Sequence, residues 1–425
     1  MNRRPRAVVV VTGSELVRGE RTDRNGPFLA AEALSHGLEP ARITIVGDAP
    51  AELETVLREA LEEDACLVSG GLGPTHDDRT VELVTRAAGL ELVVDEQLER
   101  EIESISRNVA ERLGRPYADF APGVTKQATR PASARSIGLA GTAPGLVFRA
   151  PTGCVVVILP GPPGELRRLW PNALASDPMR ELLEQTRPPG RRVLRLFGVS
   201  ESAVARALDE AGGDGDGVEA TICAREFEIH VDLVVEPGAE ERAGALDAAL
   251  TEQLERWLFA RDERRVEELV LSLAGAQGVR LSTAESCTGG MVAARLTDIS
   301  GSSASFAGGI VAYSNEVKRS ELEVPEELLV EHGAVSAEVA AAMAEGARHR
   351  LGADVAVAVT GVAGPEGGSP EKPVGRVHLH AAGPEGFLAR MLDLPGERQQ
   401  VRVRATVTAL HLLRALLTRS RDEAA

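Results

Sequence analysis

Ser282-Thr-Ala-Glu-Ser-Cys-Thr-Gly-Gly290 follows the apolar–polar run G-V-R-L (278–281) and precedes M-V-A-A-R-L (291–296). That order reads as a strand, a tight glycine turn and a helix, the joint of an α/β sheet. A hydroxyl at such a joint has a helix N-terminus behind it, with free N–H groups and a partial positive charge. The setting suits an anion site, or a nucleophile whose developing oxyanion needs donors. For a lone serine before a helix, capping is the ordinary role, so the rest of the chain must supply a base and a pocket.

The C-terminal third supplies candidates for both. Ser286 is the best nucleophile in the stretch, and Thr288, Gly289 and Gly290 offer a hydroxyl and N–H donors within one turn. A serine needs a base to attack near neutral pH. His332, His349, His378 and His380 fall in helical or strand patterns, so no Ser-His-Asp set forms. Lys318 follows a predicted strand over 310–313 and would share its sheet edge with Ser286. A desolvated lysine can serve as the base. Ser286 and Lys318 are therefore a candidate acyl-transfer dyad, with Tyr313 as a candidate proton relay. Cys287 is a rival nucleophile whose side chain is expected to point into packing. Thr360 and Gly361 end a third strand, and Asn315 lies beside Tyr313. Arg398 and Arg402 are four apart at the start of the last helix, as a solvated face or as a clamp on a phosphate.

Upstream, A-V-V-V-V (7–11) is an unbroken aliphatic run of the kind a buried parallel strand needs. Helical patterns over 28–35 and 51–62 alternate with strands over 41–46 and 65–69. This is the rhythm of an open sheet with helices on both faces, where ligands sit at the carboxyl ends of the strands. Two polar loops, 13–25 and 69–80, fall there. In S-G-G-L-G-P-T-H-D-D-R-T, Gly70, Gly71 and Gly73 let a ligand approach the backbone, with Thr75 beside them. Asp77 and Asp78 suit a divalent cation bridging to phosphate oxygens, or else a cap and a solvated turn. Glu15, from the other loop, would join them. Residues 99–135 read as charged and irregular, and P-G-P-P-G (160–164) forces a loop between a strand over 155–159 and a helix over 165–170. Residues 187–260 read as a small α+β module without obvious chemistry: a strand over 192–197, a helix over 201–211, alternating strands within 219–236 and a helix over 239–258. Strands over 353–359 and 375–380 and helices over 337–350 and 401–417 complete the last domain. The expected domains are 1–170, 171–260 and 261–425.

The bulk numbers bound the partners. The chain has 425 residues, enough for two or three cores, and only 3% aromatics, so those cores are built from Ala, Val and Leu. A net charge of −17 without a basic block disfavours direct nucleic-acid contact. The four cysteines are far apart, which excludes a disulfide framework and a zinc motif. No stretch is long and apolar enough to span a membrane, and the expected location is the cytoplasm.

Taken together, T-A-E-S-C-T-G-G, Y-S-N-E-V-K, G-A-V-S, T-G-V-A-G-P-E-G-G and E-K-P-V-G resemble the C-terminal domain of the competence/damage-inducible CinA family. G-S-E-L-V-x-G, S-G-G-L-G-P-T-H-D-D-R-T and L-P-G-P-P-G-E-L resemble that family's N-terminal molybdopterin-binding-like domain. The resemblance implies an α/β fold, with an N-terminal parallel or mixed sheet, a small α+β middle module and a C-terminal α/β deamidase domain. It implies that the C-terminal domain hydrolyses nicotinamide mononucleotide to nicotinic acid mononucleotide and ammonia without a cofactor, with Ser286 as nucleophile and Lys318 as its base. It implies that the N-terminal domain cleaves the pyrophosphate of ADP-ribose with a divalent metal ion held by Asp77, Asp78 and Glu15, and that the chain forms a homodimer. Ser14 stands where many relatives have Asp or Thr, and Gly138 where the family often has Asn. The alternatives are an N-terminal module that binds a pterin or nucleotide without turnover, and an interaction protein of DNA uptake or repair.

Overall fold

The run A-V-V-V-V lies within the strand Arg6–Thr12, and its side chains divide between two cores. Val8 and Val10 enter one cluster with Cys66, Val68, Val156 and Ile158. Ala7, Val9 and Val11 enter the other with Leu67, Val157 and Leu159. A strand buried on both faces needs apolar residues at every position, which is why no alternation is visible here. In this computed structural model, which describes residues 4–422, the chain forms two units, Met1–Gly190 and Arg191–Ala425.

The first unit is a six-stranded sheet in the order Glu39–Val46, Arg6–Thr12, Ala65–Ser69, Val155–Leu159, Pro144–Arg149 and Arg135–Leu139. The first four run parallel and the last two pair antiparallel, so the sheet is mixed. Pro50–Ala60 and Thr80–Ala87 cover one face through Leu53, Leu57, Leu83 and Val84, and Asn25–Ser35 and Pro163–Leu174 the other through Leu29, Ala33, Leu166 and Trp170.

The second unit holds two sheets. The smaller has the order Val218–Arg225, Glu228–Val235, Gly190–Phe197 and Leu258–Ala260, packed by the helices Glu201–Glu210 and Glu240–Leu254. The larger has the order Phe306–Val311, Leu281–Glu285, Val355–Gly361, Arg376–Gly383 and Gly386–Asp393, the first three parallel. Val266–Gln277, Met291–Thr297 and Arg398–Asp422 pack one face, while Asn315–Leu322 and Ala337–Leu351 pack the other.

The structure corrects several expectations. Residues 99–135 are not irregular: Glu96–Arg112 is a helix capped by Asp95, whose carboxylate accepts from Gln97 N and Leu98 N. Its buried positions, Leu98, Ile102, Ser106 and Ala110, recur every fourth residue, and dense charge on the other faces hides that stripe. Strand Leu281–Glu285 runs into the Ser286 motif, whereas the reading placed it over 278–281. The helix after P-G-P-P-G starts at Pro163 rather than at 165, because proline at the first helical position loses no hydrogen bond. The helix expected over 239–258 ends at Leu254, and Leu258–Ala260 is an edge strand. Strand Gly386–Asp393 was not anticipated; its outer position leaves Phe387 and Met391 exposed, so no apolar run marks it. Among the described residues no helix is long and apolar enough to cross a membrane.

Candidate active site

Parallel pairing of Leu281–Glu285 between Phe306–Val311 and Val355–Gly361 brings three strand ends to one edge. Ser286 continues the middle strand by one bond, its N–H donating to Val359 O at 2.9 Å. Ser314 caps the helix Asn315–Leu322, its Oγ accepting from Val317 N at 3.2 Å. One turn in, that helix turns Lys318 back under the sheet edge. Lys318 is 1% exposed, and its Nζ lies 3.1 Å from Ser286 Oγ and 2.8 Å from Ala312 O. The dyad expected from the sequence is thus assembled in space. Burial pulls the Lys318 ammonium below the usual lysine range. Once neutral, the amine can donate to Ala312 O and accept the Ser286 hydroxyl proton. Ser286, Lys318, Tyr313, Asn315, Thr360, Gly361 and Arg398 line one cleft of about 310 Å³, together with the unanticipated Ala334, Val335 and Glu366.

Other candidate residues have different roles from those read in the sequence. The Gly289 and Gly290 N–H groups are not free. Glu285 is 1% exposed and accepts from Gly290 N at 3.0 Å, Val292 N at 3.1 Å and Ala293 N at 2.8 Å. Gly289 N donates to Ser286 O at 3.2 Å. Gly289 and Gly290 have φ of 60° and 93°, a region that favours glycine, and they fold the turn tightly enough for one carboxylate to collect these donors. Thr288 is fully buried, its hydroxyl without a hydrogen-bond partner. Thr360 Oγ1 donates to Ala334 O at 2.7 Å and braces the cleft wall. The Tyr313 phenol meets Arg398 Nη2 at 3.0 Å, with no hydrogen bond to Ser286 or Lys318 that would support a relay. Cys287 packs into the core, and burial pushes its thiol up to about 11.

Arg398 also donates to Gly364 O at 2.7 Å, and Arg402 donates to Cys287 O at 3.1 Å and Thr288 O at 2.9 Å. Both arginines line a second cavity of about 680 Å³, and Arg398 borders the Ser286 cleft as well. Sequence reasoning missed Glu285, although an acid at a strand end, one residue before Ser286 and ahead of a glycine turn, is a usable signal. Glu285→Gln is expected to destabilise the chain by about 1–3 kcal/mol, because an amide cannot accept from all three N–H groups. A urea midpoint unchanged from the parent would refute this account of the cap.

In the first unit the glycine loop packs against the end of the neighbouring strand Arg6–Thr12 and the first turn of the helix Thr80–Ala87. A Cβ on Gly70 would lie 2.6 Å from Thr12 O, and one on Gly71 2.1 Å from Thr80 Oγ1. Thr75 Oγ1 donates to carboxylate oxygens of both Asp77 and Asp78. Lys126 Nζ donates to Thr75 O and Gln127 Nε2 to Leu72 O, so both brace the loop. Gly71, Gly73, Asp78, Lys126 and Gln127 line a cleft of about 250 Å³. Glu15 is not brought to the two aspartates; it lines a separate cavity of about 610 Å³ with Asp23, Asn25 and Ser69. Among the described residues no group of three or more His, Cys, Asp or Glu side chains is placed to hold a metal ion.

Residues 263–417 match the family model described as CinA C-terminal domain, 8–179 that of a probable molybdopterin binding domain, and 191–260 that of a damage-inducible protein CinA KH domain. A CinA-like protein of Mycolicibacterium paratuberculosis is 43% identical over 431 residues, spanning 97% of this chain and 98% of its own. A CinA-like protein of Mycobacterium tuberculosis is 43% identical over 426 residues, spanning 97% of each. The solved competence/damage inducible protein CihA from Agrobacterium tumefaciens aligns with 37% of this chain and 99% of its own, at 44% identity and a TM-score of 0.35.

Proposed function

The chain belongs to the CinA family, and from that premise we propose that its C-terminal domain is an amidase acting on nicotinamide mononucleotide. The observation that carries this reading is the buried Lys318 amine 3.1 Å from the Ser286 hydroxyl at a polar cleft. Neutral Lys318 takes the hydroxyl proton as Ser286 Oγ bonds to the carboxamide carbon. The resulting Lys318 ammonium returns that proton to the leaving nitrogen as the C–N bond breaks and ammonia departs. Water then attacks the acyl ester, Lys318 again taking the proton. As the ester bond breaks, Lys318 returns that proton to Ser286 Oγ, which restores the hydroxyl and the neutral amine, and the carboxylic acid leaves. Arg398 and Arg402 stand one helical turn apart beside the cleft, where two guanidiniums suit the nucleotide's phosphate.

For the N-terminal unit the reading is cleavage of the ADP-ribose pyrophosphate, with binding of a pterin or nucleotide without turnover as the second possibility. Carboxylates suit a divalent ion, which would neutralise charge on the phosphate oxygens. Asp77 and Asp78 would hold it, and Glu15, in its separate cavity, would not. The acidic net charge of −17 continues to disfavour direct nucleic-acid contact.

One incubation separates the two activities. Purified chain is given nicotinamide mononucleotide and ADP-ribose, with and without a chelator, and the products are analysed. Ammonia release is expected in both samples, and AMP only without chelator. Loss of ammonia release on chelation would sink the metal-free amidase mechanism. Tight calorimetric binding of ADP-ribose without AMP formation would favour the module without turnover.

A further inference from the structure

The middle module closes its long hairpin in a way that most residues avoid. Arg225 pairs with Glu228, so the turn between the two strands consists of Glu226 and Phe227 alone. Both have positive φ, 49° and 73°. A two-residue turn with φ above zero at both positions is type I′, which Asn-Gly fits; Glu and Phe are strained there. Such strain persists when the surroundings hold it in place.

Those surroundings are two helices of the C-terminal domain. Arg295 Nη1 donates to the Glu226 carboxylate at 3.1 Å, and the same guanidinium grips the buried Glu267 at 3.0 Å. Arg295 lies on Met291–Thr297, the helix into which the Ser286 turn runs. Phe227 stands edge-on to Phe197 at 6.0 Å, with the Arg404 guanidinium 5.5 Å from its ring centre. The next residue, Glu228, meets His411 Nε2 at 2.7 Å in a buried pair, and the His411 ring stacks on Phe197 at 3.8 Å. Arg404 and His411 belong to Arg398–Asp422, whose first turns also carry Arg398 and Arg402. One side of that helix, with Gln399, Val403 and Arg404, faces a cavity of about 720 Å³ that Phe227 and Glu228 also line. Another side presents Arg398 and Arg402 to the reactive end.

We propose that the Glu226–Phe227 turn is a positioning element of the amidase site. It holds Arg398–Asp422 against the Ser286 turn so that Arg398 and Arg402 stand where a substrate phosphate arrives. The inference rests on the amidase reading. Neither turn residue touches substrate; they act through Arg295 and Arg404, and strain in the turn is the mark of that constraint.

The test is the full-length double variant Glu226→Asn/Phe227→Gly. Asn-Gly is the favoured type I′ pair, so the hairpin closes more readily and the variant folds, while the ion pair and the aromatic contacts are lost. KM for nicotinamide mononucleotide is expected to rise about tenfold with kcat within about twofold, a loss of uniform binding. KM for nicotinamide riboside, which carries the same carboxamide and no phosphate, is expected to stay unchanged. Amide hydrogen exchange in residues 286–293 and 398–404 is expected to quicken, whether or not any substrate is turned over. Equal losses on both substrates, an unchanged KM, or unchanged exchange in the folded variant would overturn the proposal. Quickened exchange in a chain whose parent releases no ammonia would uphold the clamp and remove the amidase reading instead.

Discussion

Ser286→Ala is expected to lower ammonia release from nicotinamide mononucleotide by about 10³-fold or more, with KM little changed. The side chain contributes one oxygen, and that oxygen is the hydroxyl in hydrogen-bond contact with Lys318 Nζ. Its removal should leave the fold intact, because the backbone of Ser286 holds the turn: its N–H binds Val359 O and its carbonyl accepts from Gly289 N. Cys287 cannot stand in for it. Burial in the core pushes that thiol up to about 11, so it is not a thiolate near neutral pH, although Cys287 also borders the cleft. A trapped acyl-enzyme, seen as a mass increase in the parent and absent in Ser286→Ala, would support the covalent step. Full activity in the alanine variant would remove the dyad.

The parts of the site that could be read from the sequence are those that strand order dictates. Ser286 and the segment from Tyr313 to Lys318 follow strands, Thr360–Gly361 ends one, and parallel neighbours end at the same edge, so their meeting follows from topology. Distance does not, and Tyr313 shows the limit: it reaches the right cleft, yet its phenol binds Arg398. Glu15 is a similar case. Its loop and the Asp77–Asp78 loop follow neighbouring strands, but Glu15 and Asp78 line different cavities. Glu285 was hidden because an acid at a strand end reads as solvated, and its role depends on how the two glycines fold the next turn. Glu226 and Phe227 were hidden for the opposite reason. The polar–apolar alternation of F-E-I-H-V-D-L takes in Phe227 itself, and neither turn residue is one that turns prefer. Packing across the second unit, rather than local preference, decides the backbone there.

Lys318→Met and Lys318→Arg are both expected to lose about 10³-fold or more in kcat/KM, for different reasons. Methionine fills the space with no base, while arginine keeps a charge that does not come off. The parent supplies the pH signature. Burial lowers the folded-state pKa of Lys318 below the ordinary lysine value of 10.5, and the reaction needs the neutral amine. Its kcat/KM should therefore climb with pH along a limb whose midpoint lies below 10.5, and that limb should be missing from the residual activity of both variants. Stability carries the same sign. Between the folded and unfolded pKa values the unfolded chain binds more protons, so the parent gains stability as pH rises through that interval toward 10.5. Lys318→Met has no group to titrate there, so the melting temperature of the parent should rise relative to that of the methionine variant as pH increases above neutral. A parent profile without the limb, or an active Lys318→Arg chain, would exclude a neutral lysine as the base. A melting difference independent of pH would show that Lys318 does not carry a lowered pKa in the fold, and its 2.8 Å bond to Ala312 O would then be the contact of a permanent ammonium.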